Sequence, residues 1–190
     1  SATYYYLDFD NPATPLVNEQ QIEKGDEIAD YTHDYKTGRD TYYFYGAEGS
    51  AFGTDGVRAS AADIDDVMTR SAISRSDTFS EANLRTETFY DVTQGKGKER
   101  ALLSYNYKLD GSTVRNSTLY DYESGDYEVA RMLDTKTYKG TVPFADVSAP
   151  TNTLESATYY YLDFDNPATP LVNEHQIEKG DEIADYTNAN

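Results

Sequence analysis

The clearest alternation of apolar and polar positions runs through Ala101–Tyr122, ALLSYNYKLDGSTVRNSTLYDY. Leu103, Tyr105, Tyr107 and Leu109 fall at every second position, and Leu119 is opposite in phase to Tyr120 and Tyr122. A period of two lines one face of a strand. Asp110-Gly111 separates the two arms and predicts a hairpin turn, because both residues tolerate positive φ. The same reading of Ile28–Tyr45 predicts a hairpin turning at Lys36-Thr37-Gly38-Arg39. Further strands are predicted at Thr3–Phe9, Met68–Ser74, Arg85–Val92, Asp134–Tyr138 and Ala157–Phe164. Pro12, Pro15, Pro167 and Pro170 mark loops, and Pro143 and Pro150 bracket a second irregular stretch. A helix is expected at Ser60–Thr69, SAADIDDVMT, with Ser60 as its cap and Asp63 suited to the helix dipole. The pattern reads as all-β with at most one short helix.

These elements recur. Residues 1–32, SATYYYLDFDNPATPLVNEQQIEKGDEIADYT, return as residues 156–187 with Gln20 replaced by His175 as the one mismatch. A weaker correspondence lies inside the period. Leu84–Asp91 matches Leu154–Tyr161, Gly25–Ala29 matches Gly97–Ala101, Tyr35-Lys36 matches Tyr107-Lys108, and Thr41–Tyr45 matches Thr118–Tyr122. We read residues 1–155 as one full period made of two degenerate halves, about 1–77 and 78–155, and residues 156–190 as the start of the next. Tandem β-hairpin repeats of this kind predict stacking as a β-solenoid or an elongated sheet array.

Composition changes the picture of the core. Mean hydropathy is −0.75. There are 19 Tyr against 7 Phe and no Trp, so tyrosine replaces much of the usual aliphatic packing. Its ring buries area while its hydroxyl keeps a polar partner, and it favours strands. A net charge of −18 disfavours nucleic acid, which needs clustered Lys and Arg. The same charge keeps a long β array soluble and resists edge association. No stretch approaches the roughly 18 apolar residues of a membrane span. The absence of Cys excludes disulfides and thiolate metal sites.

The hairpin motifs YNYKLDGSTVRNSTLYDYESGD and YKTGRDTYYFYGAEG resemble the YD-type repeats of the RHS family. They are also similar to the tandem repeats of giant bacterial cell-surface proteins, in which Gly-x-Glu-x-Ala, Tyr-Lys-x-Asp-Gly and Thr-x-Tyr-x-Tyr recur. RHS repeats coil into a shell around a toxin. Here the period is far longer than a YD unit, and no toxin or autoproteolytic segment is visible. The resemblance therefore implies a solenoid or stacked-sheet stalk at the bacterial surface or outside the cell.

Candidate chemistry is sparse. Asp8, Asp10 and Asn11, repeated as Asp163, Asp165 and Asn166, offer the oxygen ligands that a hard cation takes, and calcium is the cofactor they suggest. Asp63, Asp65 and Asp66 form a similar cluster. The competing reading of each is a solvated acidic loop. Tyr4, Tyr6, Tyr43, Tyr45, Tyr120 and Tyr122 could present rings for stacking on glycans, or form cross-strand ladders within the sheet. His33 and His175 have no Ser or Cys partner in a recognisable motif, and no catalytic residue is identified. The expectation is a non-enzymatic structural segment of a large extracellular or cell-surface protein or filament, serving as stalk, scaffold or adhesive element. Its partners would be adjacent repeats or copies of itself. The alternatives are a carbohydrate-binding adhesin module using exposed Tyr rows, and a self-assembling filament subunit using an exchanged terminal strand.

Overall fold

A computed structural model describes residues 1–6, 28–76, 78–124, 130–161 and 183–189. The chain is all-β. Among the described residues there are ten strands. They are β1 (Ala2–Tyr6), β2 (Ile28–Asp34), β3 (Arg39–Gly46), β4 (Val67–Ser74), β5 (Leu84–Asp91), β6 (Arg100–Tyr107), β7 (Val114–Tyr122), β8 (Met132–Lys139), β9 (Leu154–Tyr161) and β10 (Ile183–Ala189). The strands divide between two compact units, Ser1–Arg100 with Tyr107–Thr113, and Ala101–Asn106 with Val114–Asn190. Antiparallel pairing links β1 through β5 in the first unit and β7 through β10 in the second.

The expected helix at Ser60–Thr69 does not form. A single 3-10 turn covers Ala59–Ala61, without a side-chain cap, and Val67 already begins β4. Two local facts decide against a helix. The Asp63 amide donates to Asp66 Oδ2 at 2.9 Å, which closes a turn instead. Val67 is fully buried and Thr69 nearly so, and both are β-branched residues suited to the pleated surface. Two further 3-10 turns lie at Glu81–Asn83 and Phe144–Asp146. The described residues thus hold three short turns where one helix was expected.

In the first unit, Tyr42, Phe44, Ala72 and Leu84 are buried together, with Tyr31, Phe79 and Tyr107 packed against them. In the second, Leu103, Val142 and Ser117 are fully enclosed. The loop after β8 is tied down there by polar contacts. Tyr105 donates its hydroxyl to the Val142 carbonyl at 2.6 Å, and Ser117 Oγ donates to the Gly140 carbonyl at 2.6 Å. Asn152 donates to the carbonyls of Lys139 and Thr141, each at 3.0 Å.

The strand registers repeat. β1 pairs with β2 through Thr3↔Thr32 and Tyr4↔Tyr31, then jumps to Tyr5↔Ala29, passing over Asp30. β9 pairs with β10 through Thr158↔Thr187 and Tyr159↔Tyr186, then jumps to Tyr160↔Ala184, passing over Asp185. The two copies of the duplicated sequence therefore share all five Cα pairings of β1–β2 and the same bulge. The weaker internal correspondence behaves likewise. Phe44↔Arg70 and Tyr45↔Met68 flank a bulge in β3–β4, as Asp121↔Asp134 and Tyr122↔Met132 do in β7–β8. Ile73↔Thr86 and Ser74↔Leu84 flank one in β4–β5, as Thr137↔Ser156 and Tyr138↔Leu154 do in β8–β9.

Both predicted turns exist, and they differ in tightness. Gly38 (φ 65°) closes the first, with open space where a Cβ would project. The second is a longer loop closed by Lys108 N–H to the Thr113 carbonyl at 2.8 Å. Leu109 leaves the strand pattern there and is 88 % exposed, against the expectation that it continues the apolar face. The Thr113 hydroxyl first, and then the amides of Thr113 (2.8 Å) and Ser112 (3.1 Å), hydrogen-bond the Asp110 carboxylate and hold its carboxyl down at about 2. Gly111 (φ 71°) presses against the 3-10 turn before β5, where a Cβ would lie 2.5 Å from Asn83 Cα. Its carbonyl receives the Leu84 amide at 3.0 Å. Gly38→Ala therefore carries only the left-handed backbone cost, about 1–2 kcal/mol, whereas Gly111→Ala adds a backbone clash and must lose more. Urea unfolding of the two variants side by side should rank Gly111→Ala as the less stable; equal losses would contradict this packing.

Candidate functional site

The prominent feature of the first unit is an aromatic row crossing its first three strands, exposed at Tyr4 and buried at Tyr42 and Phe44. Register alone builds it: Tyr4 lies opposite Tyr31, and Tyr31 opposite Tyr42. The rings of Tyr4 and Tyr31 stack with centroids 4.6 Å apart and planes 11° from parallel. Tyr31 continues to Tyr42 at 5.8 Å, Tyr42 to Phe79 at 5.3 Å, and Phe79 to Phe44 at 5.0 Å. Two guanidinium groups lie over this row. Arg58 sits 4.8 Å from the Tyr42 centroid, and Arg70 sits 3.9 Å from that of Phe44. Arg58 is itself anchored to Asp30, the bulged residue of β2, at 2.6 Å.

Arg70 is buried and carries a network. Nη1 reaches Glu87 Oε1 at 2.7 Å and Nη2 reaches Glu81 Oε1 at 2.7 Å. Glu87, also buried, receives the Tyr107 hydroxyl at 2.6 Å on its second oxygen. Burial alone would lower the arginine's pKa. The hydrogen bonds that Arg70 donates to Glu81 and Glu87 more than offset this and hold it above the ordinary value. Composition and alternation did not point to this cluster, because Arg70 and Glu87 read as the polar positions of their strands.

The tyrosines singled out from sequence fall into different environments. Tyr4 is 42 % exposed at the outer end of the row, where its hydroxyl meets that of Tyr35 at 3.3 Å. Tyr43 is half-buried on another line of the sheet, its hydroxyl 3.0 Å from Thr32 Oγ1. Tyr45 donates to the Ala29 carbonyl at 2.7 Å, and burial pushes its phenol well above the ordinary value. Tyr120 meets Ser104 Oγ at 3.1 Å, and Tyr122 is half-buried at the end of β7. The Tyr6 side chain lies outside the described residues, as do Asp8, Asp10, Asn11, Asp163, Asp165 and Asn166, the residues expected to bind calcium. Asp63, Asp65 and Asp66 are brought together within their own turn. Among the described residues, no group of three or more His, Asp or Glu side chains is placed to hold a metal ion.

One cavity of the first unit, about 510 Å³, gathers positive charge on this acidic chain. His33, Arg39, Asp40, Arg75 and Arg85 line it, with Gly38, Ser74 and Ser76. His33 Nδ1 contacts Asp40 Oδ1 at 2.6 Å, and Arg75 donates to the carbonyls of Tyr107 (3.0 Å) and Lys108 (3.1 Å). His33 has no counterpart in the second copy of the hairpin, where Asn188 stands in its place. The cavity thus combines structural hydrogen bonds with a cationic rim, and no nucleophile–base pair is assembled there.

The Arg70 network has a measurable consequence. Arg70→Met leaves Glu87 buried without its counter-charge and should cost about 3–5 kcal/mol. Arg70→Met combined with Glu87→Leu should recover much of that loss, because both buried charges are then gone. Chemical unfolding of both variants reads the difference, and a double variant as unstable as the single one would contradict the account. Among the described residues, no helix is long and apolar enough to cross a membrane. Compared with family models, curated proteins and solved structures, the chain finds no match.

Proposed function

We propose that this chain is a structural repeat segment of a large extracellular or cell-surface protein or filament, acting as stalk or scaffold. The observation that carries this reading is the equivalence of the two duplicated hairpins, which share all five Cα pairings of β1–β2 and the bulge at Asp30 and Asp185. Near-identical sequence with identical pairing at two places in one chain is the signature of a unit built to be added repeatedly. The weaker likeness of β3–β4–β5 to β7–β8–β9 extends the same logic to half a period. High net negative charge suits such an array, since it keeps extended β edges from pairing at random.

An adhesin reading draws on a separate observation. Tyr4 and Tyr35 remain exposed with their hydroxyls 3.3 Å apart, and aromatic rings of this kind stack on sugars.

The reading is tested by a chain carrying one further period, residues 1–155 followed by residues 1–190. A repeat segment gains a nearest-neighbour interface with each period. The longer chain should unfold at a higher midpoint than the single one, and its maximum dimension in small-angle scattering should grow by a fixed increment per period. Periods that unfold independently at an unchanged midpoint would contradict the array, and saturable glycan binding by such independent modules would favour the adhesin.

A further inference from the structure

Half a period apart, the same place in the fold is filled in one unit and open in the other. Counting from the matched pairs and bulges of β3–β4–β5 and β7–β8–β9, Arg39 is equivalent to Asn116, Asp40 to Ser117, Arg75 to Lys139 and Arg85 to Glu155. The match of Tyr35-Lys36 with Tyr107-Lys108 makes His33 equivalent to Tyr105. Side-chain contacts follow the same count, since Thr32 meets the Tyr43 hydroxyl at 3.0 Å and Ser104 meets that of Tyr120 at 3.1 Å. In the second unit the chain plugs this place itself. Val142, from the loop after β8, is fully enclosed. Tyr105 donates to its carbonyl at 2.6 Å, and its amide donates to Ser117 Oγ at 2.9 Å. Asn116 and Glu155 satisfy each other, Nδ2 donating to Oε2 at 3.3 Å. The loop that supplies the plug is long: Leu154 follows its partner Tyr138 by sixteen positions, whereas Leu84 follows its partner Ser74 by ten. The shorter connection of the first unit leaves the cavity of about 510 Å³.

What lines the open cavity is positive charge. Arg39, Arg75 and Arg85 stand where the plugged site has Asn116, Lys139 and Glu155. Elsewhere arginines of this chain meet carboxylates, as Arg58 meets Asp30 at 2.6 Å and Arg131 meets Glu123 at 2.7 Å. Among the described residues, neither Arg39 nor Arg75 has a carboxylate within ion-pair distance. Arg75 donates from Nη2 to two backbone carbonyls, and its Nε is buried without a hydrogen-bond partner. Asp40, the acid of the wall, is already engaged by His33 at 2.6 Å and by the Tyr42 hydroxyl at 3.2 Å. Uncompensated guanidinium groups in a concave site attract an anion, here on a chain of net charge −18. We infer that the cavity binds a small acidic sugar, its carboxylate or phosphate held by Arg39 and Arg75. The planar fork of arginine matches such oxyanions with two parallel hydrogen bonds. The volume lies in the range of small-molecule sites, beyond what a bare oxyanion fills. Asp40, Ser74 and Ser76 make a polar wall suited to ring hydroxyls. β2, β3 and β4 are each paired on both sides, so the cavity does not depend on the outer edge of β1.

The inference goes beyond the structural reading and does not rest on it. Calorimetric titration of the intact chain with glucuronate and with glucose 6-phosphate tests it. At least one should bind saturably, and neutral glucose should not. Arg39→Gln should weaken that binding at least tenfold, whereas Arg115→Gln, at an exposed position of β7 outside the cavity, should leave it unchanged. A second pair of variants reads charge alone. Gly38 lines the cavity with φ 65° and open space where a Cβ would project, and Asn and Asp tolerate that backbone. Gly38→Asp should therefore weaken binding at least tenfold more than the neutral Gly38→Asn, even where Arg39→Gln disturbs the hairpin. Inorganic sulfate should compete, with at least tenfold lower affinity than the better sugar. Sulfate bound as tightly as either sugar would overturn the acidic-sugar assignment and leave a bare-anion site. Absence of saturable binding by both sugars, or equal effects of Arg39→Gln and Arg115→Gln together with equal effects of the two Gly38 variants, overturns the site altogether.

Discussion

Backbone pairing with the adjacent strand is the constraint on which the rest of this structure depends. Most strand positions are only half-buried, and the fully enclosed side chains are few and often small. A strand here cannot rely on a thick aliphatic core. It relies on its ladder of hydrogen bonds and on cross-strand side-chain pairs, each worth roughly 0.2–1 kcal/mol. The polar residues do much of this work. Thr3 meets Thr32, Thr32 meets Tyr43, Ser71 meets Tyr90, and Thr118 meets Thr137. Residues 2–6 of β1 and 157–161 of β9 are identical, and Ala157, beside β8, is buried while Ala2 is half-buried.

The bulges carry a second part of the design. Each resets the side-chain alternation of one strand against the next and increases the local twist. Asp30, passed over in the β1–β2 ladder, is free to point at Arg58, and Arg58 in turn covers Tyr42. An irregularity in pairing thus fixes a loop residue over the aromatic row. Arg70 plays a comparable role from β4, covering Phe44 while its charge is compensated by Glu81 and Glu87. A buried ion network of this kind adds little net stability over an apolar substitute, but it penalises any register that leaves one partner alone.

Much of the strand layout was legible in the sequence. Period-two alternation located both hairpins, and Gly38 and Gly111 marked their turns. The internal correspondence of Leu84 with Leu154 and of Thr41–Tyr45 with Thr118–Tyr122 reappears as matched pairings. The misreadings have physical causes. Ser60–Thr69 looks helical because Ser and Asp favour an N-terminus, but the same side chains close turns on their own backbone. Leu109 continues the alternation by count, yet the chain has already left the strand to bring Gly111 against Asn83. Bulges and the Arg70–Glu87 pair were invisible because neither changes the alternation of a single strand; both exist only between strands. Of the residues proposed for binding, Tyr43, Tyr45 and Tyr120 turn out to spend their hydroxyls on Thr32, Ala29 and Ser104.

The most direct measurement of the central idea is residue-resolved amide hydrogen exchange on the intact chain, comparing β1 with β9. Residues 2–6 of β1 and 157–161 of β9 are identical and pair alike with β2 and β10, while among the described residues β8 lies beside β9 and no strand lies beside the same edge of β1. The account predicts that the amides of β9 facing β8 exchange at least ~10-fold more slowly than their twins in β1, because opening β9 requires breaking a further ladder. Equal protection of the two strands would contradict it, whether because β1 is already covered or because β8 does not hold β9.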